Sequence, residues 1–459
     1  MIETYNIGTV NFEWYEWFLM PLILLGFFAY AFRVARAKKE LNPEYKYMVS
    51  ALSVKLLGGF FFGVIYIFYY QGGDTVNYYS SAIPLQRLFN EDVSSYFAVI
   101  FDGEPIGESA TYINSFTAET KRPLGFIAGD SKTFSVCKFT SPFLIITFGS
   151  YFAATLLLSG VTFFSQWRLY RMFVKIFPLL YKELAFAILF VPSVAFWGSG
   201  IMKDTFTYAA TCLAVSSFYY AVTNHKRALN VVLLLFSFWM IISMKPYILN
   251  LLIPCCGLWF VFISTSKVKS VFVKSIVFPI LFVVGLGGSY LILSSLGGSM
   301  DKFALDTAVQ TSQITSEDLQ RSAQYGDNSF EIAQIDGSVG SLLAVMPTAM
   351  VAGLYRPFFF EARSVVMLFS ALENLVLLAL TLLLIYKFRI GKTVALMKAF
   401  PVLWFCLSFS ILFAFMIGVT TPNFGALVRF KIPLIPFFSV FLVVIWRSER
   451  LMLPESKRS

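Results

Sequence analysis

Long apolar runs, separated by short polar and basic segments, dominate the hydrophobic pattern of this chain. A helix that crosses a bilayer needs roughly 20 mostly apolar residues. We predict spans at 14–32, 49–70, 141–163, 184–199, 204–222, 229–244, 247–265, 275–295, 365–386, 399–419 and 430–446. The pattern therefore predicts an all-α fold, a polytopic transmembrane helix bundle of about 11 spans. We expect residues 1–459 to form a single integral membrane domain.

Two long polar segments interrupt the apolar runs, at 71–140 and at 297–364. Both are acidic and moderately rich in Gly, Ser and Thr, which favours irregular chain. Within the second segment, 340–360 is apolar but contains Pro347 and Pro357, so we predict an interfacial or re-entrant helix there. We expect both segments to face outward, and a protein that places its long loops on one face is expected to work on that face.

Composition excludes several classes of protein. Hydrophobic residues make up 58% of the chain and charged residues only 14%, with a mean hydropathy of +0.72. A soluble domain usually carries about 25% charged residues, so a soluble enzyme and a disordered protein are excluded. The single histidine, His225, excludes a multi-histidine metal site and a Ser-His-Asp triad. Four of the five cysteines lie in apolar runs, which is atypical of a disulfide framework.

The net charge of +10 reflects topology rather than a nucleic-acid partner. Basic residues collect in cytoplasmic loops, and 22 of the 36 Lys and Arg lie with only five acids in one set of segments: 33–47, 164–183, 223–228, 266–274, 387–398 and 447–459. This distribution predicts an N-terminus outside and a C-terminus inside. Glu3 and Glu13, with no Lys or Arg among the first 13 residues, are atypical of a cleavable signal, so we expect the N-terminus to be retained.

The segment 71–79, directly after the second predicted span, contains Asp74 between two glycines and a pair of tyrosines. One interpretation is that Asp74 caps a helix over 75–81. The other is that it stands at the lip of an outward cavity. There it could take a proton from an acceptor hydroxyl or bind a divalent cation.

A second polar group follows at 192–204, where a Gly-Ser-Gly turn precedes Lys203 and Asp204. A helix N-terminus beside a lysine is a natural anion site. The alternative is a tight hairpin in which Lys203 and Asp204 are solvated or paired. Lys245 occupies a similar external corner between two predicted spans.

Three further groups lie near the same predicted surface. Arg356 offers a planar fork for phosphate or carboxylate, and Glu361 either pairs with a nearby arginine or joins the site. Glu373 lies inside a predicted span, about 12 Å below its outer end, and therefore needs a polar partner. Arg429 and Lys431 precede the last span on the outer side, against the positive-inside trend.

Together these residues suit an anionic lipid headgroup, especially a pyrophosphate. Asp74 is the candidate catalytic residue, and the candidate substrate-binding residues are Lys203, Asp204, Lys245, Arg356, Glu361, Glu373, Arg429 and Lys431. We expect them to line one outward cavity that opens to lipid.

Four segments also resemble known proteins. The run GGDTVNYY resembles the first-loop aspartate region of membrane-embedded sugar transferases of the GT-C type. Two large outer loops with outward arginines are similar to O-antigen and exopolysaccharide polymerases. Three other segments resemble motifs of uncharacterised bacterial membrane proteins placed near polysaccharide genes: PSVAFWGSGIMKD, YRPFFFEA with ALEN, and NFGALVRFKIP.

The resemblance implies a polyprenyl-phosphate or polyprenyl-pyrophosphate sugar donor at the outer face of the cytoplasmic membrane. It implies that Asp74 is the general base or a metal ligand, with no cofactor certain and a divalent cation left open. Lys203, Lys245, Arg356 and Arg429 would then hold the phosphates. The expected partners are membrane lipid, a polyprenyl-linked glycan and proteins of envelope assembly, with no nucleic acid.

Two other interpretations stay open from the residues alone. One is a transporter or flippase for a lipid-linked or anionic substrate, in which Glu373 and Lys55 line a path. We expect Lys55, near the cytoplasmic end of its span, to snorkel to the surface instead. The other is a non-catalytic membrane subunit of an envelope assembly or secretion system, which would dock partners through its acidic loops.

Overall fold

The computed structural model describes residues 5–7, 10–102, 110–266, 330, 339–387 and 390–452. The chain divides into two compact units. The first unit comprises Met1–Arg171, Val194–Ala214 and Leu233–Lys245, and the second comprises Met172–Ser193, Val215–Val232 and Pro246–Ser459. The described residues are mostly helical, which confirms the predicted all-α fold.

A small hairpin precedes the first helix, in which strand β1, Tyr5–Ile7, pairs antiparallel with strand β2, Val10–Phe12. The helices up to the first polar loop are α1 Glu16–Lys38, α2 Met48–Val64, α3 Asp74–Glu91, α4 Val93–Phe101, α5 Ala110–Ser115 and α6 Gly125–Ala128. A 3₁₀ turn, Pro43–Tyr47, leads into α2, and a π-helical turn, Ile65–Tyr69, continues it.

The central helices are α7 Ser131–Ile146, α8 Tyr151–Ile176, α9 Tyr181–Ile188, α10 Pro192–Trp197, α11 Lys203–Val222, α12 Arg227–Met244 and α13 Pro246–Ser266. The remaining described helices are α14 Val339–Tyr355, α15 Val365–Tyr386, α16 Ile390–Ala399, α17 Val402–Thr420, α18 Phe424–Phe430, α19 Ile435–Trp446 and α20 Ser448–Met452. Short 3₁₀ turns occur at Pro178–Leu180 and Phe359–Glu361.

Several helices are long and apolar enough to cross a bilayer, which identifies a membrane protein. Among the described residues, six meet this test by length and composition: Glu16–Lys38, Pro43–Tyr69, Arg227–Met244, Pro246–Ser264, Val365–Tyr386 and Val402–Thr420. The number rises to eight if the bent pairs α7–α8 and α18–α19 each count as one span. The predicted number of eleven spans is therefore not confirmed.

Particular spans differ from the prediction for local reasons. The predicted span 184–199 is two short helices, α9 and α10, and Pro192 begins the second because proline suits the first turn of a helix. The predicted span 141–163 contains a bend of 107° between α7 and α8. Residues 204–222 do form the continuous helix α11, while the predicted span 275–295 lies outside the described residues.

The first polar loop also differs from the prediction. In its described part, 71–140 is largely helical, from α3 to the first half of α7, rather than irregular chain. Much of the second polar loop, 297–364, lies outside the described residues. The helix predicted at 340–360 is present as α14, which packs closely along α17 in the second unit.

Close helix contacts in each unit depend on small residues. In the second unit, a Cβ atom at Gly418 would collide with the carbonyl oxygen of Ala349, so the backbones of α17 and α14 nearly touch. In the first unit, a Cβ atom at Gly58 of α2 would meet the carbonyl of Ala195. Small residues of this kind let helices approach where lipid provides no hydrophobic driving force.

Candidate functional site

A cluster of charged side chains lies in the first unit, and we call it the lysine cluster. Its centre is Lys203, which interacts electrostatically with four neighbours: Asp74, Asp130, Asp204 and Lys245. These residues are far apart in sequence, and the starts of α3, α7 and α11 and the end of α12 bring them together. The structure thus places four residues predicted from the sequence in one neighbourhood.

The turn before Lys203 is held in place by hydrogen bonds inside the first unit. Ser159 Oγ of α8 donates to the carbonyl oxygen of Ser199 at 2.6 Å, and Ser199 Oγ donates to Ala195 O at 2.6 Å. Lys55 Nζ of α2 donates to the carbonyl oxygen of Gly198. The Gly-Ser-Gly turn is therefore fixed from two other helices, and Lys203 begins α11 from a fixed position.

Lys55 corrects an expectation. Its side chain is 2% exposed, and its ammonium group lies 5.5 Å from the centre of the Tyr208 ring. It does not snorkel to the surface, because the free carbonyl of Gly198 gives its ammonium group a partner inside the first unit. Lys55 is a structural cation beneath the Gly-Ser-Gly turn.

The two lysines of the cluster are held very differently. Lys245 Nζ lies 2.5 Å from Asp204 Oδ1, and the two side chains are only 8% and 4% exposed. Lys203 Nζ donates to Thr133 Oγ1 at 2.7 Å and lies 3.8 Å from Asp130 Oδ2. Lys245 is thus committed to a buried ion pair, whereas Lys203 has a looser ion pair with a carboxylate that is 53% exposed.

Asp130 and Thr133 were not predicted from the sequence. Asp130 caps α7 by accepting from the backbone of Lys132 at 3.2 Å, and Thr133 Oγ1 donates to its carboxylate. Burial alone raises the pKa of Asp130, but the hydrogen bond from Thr133 and the charge of Lys203 outweigh it, so this pKa lies below its ordinary value. The Gly-Asp-Ser sequence at 129–131 is a helix-start signal that could have identified Asp130.

Asp74 begins α3 after a turn that requires glycine. Gly72 and Gly73 have φ angles of +154° and +97°, and residues with a Cβ rarely adopt the latter. Gly73, which has no side chain, takes the capping position, so Asp74 lies in the first turn and does not cap the helix from outside as one interpretation held. Asp74 is half-buried, and its side chain interacts electrostatically with Lys203.

A second set of predicted residues lies in the second unit, where they bind each other. Arg356 Nε donates to Glu361 Oε1 at 3.0 Å, and one terminal nitrogen lies 2.5 Å from the same oxygen. The guanidinium carbon of Arg356 lies 4.3 Å from the ring centre of Phe330 and 5.5 Å from that of Phe424. The guanidinium group of Arg356, which was predicted to bind phosphate or carboxylate, is therefore paired with a carboxylate of the chain and flanked by two aromatic rings.

Lys431 extends this network. Its buried ammonium group donates to the carbonyl oxygen of Arg356 at 3.0 Å and to Asn374 Oδ1. Asn374 in turn donates to Pro357 O at 3.0 Å. The network fixes the backbone that follows α14, and Asn374 is a residue that the sequence did not single out as a partner.

Glu373 and Arg429 complete the predicted set. Glu373 accepts hydrogen bonds from the backbone nitrogen and the hydroxyl of Ser193, at 2.9 and 2.8 Å. The expected polar partner of this carboxylate is thus a serine at the start of α10. The guanidinium carbon of Arg429 lies 5.7 Å from the ring centre of Phe430. One common cavity for all the predicted residues stays a prediction.

Among the described residues, no group of three or more His, Cys, Asp and Glu side chains could hold a metal ion. A divalent cation at Asp74 stays a prediction. Comparison of the chain with family models, with curated proteins and with solved structures gives no significant match. The chemistry of the site is accordingly argued from the residues of this chain.

Proposed function

We propose that this chain is a membrane-embedded glycosyltransferase or glycan polymerase. Its substrate would be a sugar linked to polyprenyl phosphate or pyrophosphate, at the outer face of the cytoplasmic membrane. The concentration of Lys and Arg in the segments predicted to be cytoplasmic supports an outward N-terminus and an inward C-terminus. The apolar helices support a substrate that enters from lipid.

The observation that carries the proposal is the loosely paired Lys203 within the field of Asp74. An ammonium group that is partly desolvated and only weakly paired can leave its carboxylate partner, here Asp130, and bind a phosphate oxygen instead. Nearly buried Lys245 cannot do so without breaking its close ion pair with Asp204. We therefore assign phosphate binding to Lys203 and a positioning role to the pair of Lys245 and Asp204.

The proposed step uses these groups directly. The oxygen of an acceptor hydroxyl attacks the anomeric carbon of the donor sugar, and a new C–O bond forms. The hydroxyl proton passes to the carboxylate of Asp74. The bond between the anomeric carbon and the lipid phosphate breaks, and its electron pair stays on the phosphate oxygen beside Lys203. A single displacement of this kind inverts the anomeric configuration.

The proposal also keeps the other predicted substrate contacts, but gives them a smaller role than Lys203: Arg356, Glu361, Glu373, Arg429 and Lys431. The donors of Arg356 that face Glu361 are already used inside the protein. A phosphate would have to displace Glu361 to bind there. The same reasoning applies to Lys431, whose ammonium group already has two oxygen partners.

The test is the substitution Lys203→Met in cells that rely on this chain for their surface glycan. Methionine keeps the length of the side chain and removes the charge. Loss of one charge-assisted contact costs about 1.5–3 kcal/mol, which corresponds to a loss of rate of roughly 10- to 150-fold. The matched control is Lys39→Met, an exposed lysine after α1.

Glycan in each strain is measured at equal membrane levels of the two variants. The proposal predicts that Lys203→Met removes most of the product while Lys39→Met leaves it unchanged. An unchanged amount of glycan in Lys203→Met cells would refute the assignment of phosphate binding to the lysine cluster. It would favour a non-catalytic membrane subunit instead.

A further inference from the structure

The first unit contains a polar cavity outside the lysine cluster, with a volume of about 460 Å³. It lies beside the start of α1, the middle of α3 and the turn between α7 and α8. Its charged lining residues are Glu13, Glu16, Arg87, Lys121 and Arg122. Three basic groups and two acidic groups make the cavity cationic overall.

The two acids are less exposed than the three basic groups, since Glu13 is half-buried and Glu16 is buried. Glu16 is 1% exposed, and its carboxylate accepts from the hydroxyl of Ser150 and, at 3.1 Å, from the backbone nitrogen of Glu13. Arg87, Lys121 and Arg122 are exposed. The cavity thus has a carboxylate that is already bonded at its base and three cationic side chains that can reach a ligand.

An apolar groove of about 490 Å³ lies between α1 and α8. Its lining residues are Leu22, Ile23, Gly26, Phe27 and Tyr30 of α1 with Leu157 and Phe164 of α8. Along α1, the groove extends from about 9 to about 21 Å beyond Glu16, at 1.5 Å per residue. Along α8, it begins a similar distance beyond Tyr151, so on both helices the groove lies about 9 Å further along than the polar cavity.

Exposed aromatic residues mark the level of the polar cavity. Trp14, Trp17 and Phe18 at the start of α1 are 49%, 66% and 71% exposed. Tryptophan is enriched where a membrane protein crosses the boundary between headgroups and hydrocarbon. The polar cavity therefore lies at headgroup level, and the groove runs into the hydrocarbon layer, whose half-thickness is about 15 Å.

We infer that the polar cavity and the apolar groove together bind one phospholipid with an anionic headgroup. Its phosphate lies among Arg87, Lys121 and Arg122, and one acyl chain lies in the groove between α1 and α8. The cationic lining of the polar cavity, the position of the apolar groove about 9 Å further along α1 and their depth in the membrane argue for this occupant. The inference is independent of the proposed glycan chemistry, since it concerns binding and uses none of the residues of the lysine cluster.

The test uses the purified full chain and native mass spectrometry, with three added probes. Phosphatidylglycerol carries both the phosphate and the acyl chains, diacylglycerol lacks the phosphate, and glycerol phosphate lacks the chains. We expect the chain to retain one phosphatidylglycerol and neither of the other two at the same concentration. Equal retention of glycerol phosphate would indicate a free-phosphate site and overturn the proposal.

Two variants test the two halves of the site. A Cβ atom at Gly26 would meet nothing within 4 Å, so Gly26→Leu adds a side chain to the groove with no clash at its Cβ atom. Its control is Gly257→Leu on α13, where a Cβ atom also meets nothing within 4 Å. We expect Gly26→Leu to lower retention of phosphatidylglycerol about tenfold or more, and Gly257→Leu to leave it unchanged.

The charge variant replaces Arg87, Lys121 and Arg122 with Gln. Its control removes three exposed cations from the far end of α1, at Arg33, Arg36 and Lys38. We expect about a tenfold or larger loss of bound lipid from the first triple variant only. Equal losses from both triple variants would indicate general attraction to anionic lipid and would overturn the site.

A final arm needs no substitution and so does not depend on the folding of a variant. Phosphatidylglycerol with a photoreactive acyl chain is irradiated with the wild-type chain, and the adducts are mapped by peptide sequencing. The proposal predicts adducts within 22–30 of α1 and 157–164 of α8. Adducts spread evenly over the exposed apolar helices, with no excess in these two segments, would overturn it.

Discussion

The buried pair of Asp204 and Lys245 gives a sharp prediction about stability. Their closest atoms lie 2.5 Å apart, and both side chains are less than 9% exposed. At an effective dielectric constant of about 20, two unit charges at this distance attract by about 7 kcal/mol. The cost of taking both charges out of water offsets much of this attraction, so the intact pair adds little net stability.

Removing one partner has a much larger effect, because it leaves a buried charge without its closest ion-pair partner. We expect Lys245→Met and Asp204→Leu each to lower the free energy of unfolding by about 3–5 kcal/mol. The double variant, Lys245→Met with Asp204→Leu, replaces the pair by apolar side chains of similar size. It should lie within about 1 kcal/mol of the wild type, which makes the two substitutions strongly non-additive.

The assay is unfolding of the purified chain by sodium dodecyl sulfate in mixed micelles, followed by tryptophan fluorescence. The matched control is Arg450→Met, which removes a half-exposed arginine that lies 3.1 Å from Glu183 and leaves that carboxylate paired with Arg447. It should cost no more than about 1 kcal/mol. Single variants of the buried pair that behave like the control, or a double variant that loses the sum of the two, would refute the reasoning.

Three further predictions follow from other contacts. All five cysteines are buried, so a cysteine introduced at exposed Asn114 should be the dominant site for an impermeant thiol reagent added outside the cell; labelling only from inside would reverse the topology. Gly418→Ala should lower the free energy of unfolding by about 1–3 kcal/mol, since the new Cβ atom collides with Ala349 O, whereas Gly257→Ala, with open space around it, should not; equal effects would contradict the close contact. The pKa of Asp130 is lower in the folded chain, so its contribution to stability is present above its unfolded pKa and is lost as the pH falls through its folded pKa. The variant Asp130→Asn should lose less stability at acid pH than the wild type, as measured by unfolding at a series of pH values. An unchanged dependence of stability on pH would contradict this contribution.

The long helices were predictable because their apolar runs are continuous. The runs at 229–244 and 365–386 differ by no more than two residues from α12 and α15. An uninterrupted apolar stretch of this length has few other stable states in lipid. The breaks were harder to foresee, since Pro192 could have kinked a helix and instead begins a new one.

Helices in the polar loop 71–140 were missed for a different reason. The helix predicted over 75–81 continues to Glu91 as α3, where the run of apolar residues is short and many polar residues are present. Contacts with α7 within the first unit stabilise α3, including the thiol of Cys137 against the carbonyl of Tyr78. Tertiary packing of this kind is not visible in a hydropathy pattern.

The candidate site was partly predictable from its charges. Residues such as Lys203, Asp204 and Lys245 stand out in the sequence because charge is rare in apolar chain. Their partners do not stand out, since Asp130 and Thr133 lie in an ordinary polar segment. Sequence therefore identified the cations but not which of them is tightly paired, and our proposed assignment of phosphate binding to Lys203 rests on that difference.

The most direct test of the proposed function is glycan transfer by the purified Asp74→Asn variant. Asparagine is nearly isosteric and stays in the first turn of α3, but it cannot accept a proton at neutral pH and is a poor ligand for a hard cation. The matched control is Glu119→Gln, which makes the same chemical change at an exposed carboxylate of the first unit. Insertion and folding are checked by the unfolding assay above.

Transfer is measured with a polyprenyl-pyrophosphate-linked sugar labelled in the sugar. The account predicts that Asp74→Asn folds normally but transfers no labelled sugar, while Glu119→Gln transfers it at the wild-type rate. Wild-type transfer by Asp74→Asn would contradict the account and remove Asp74 as the base.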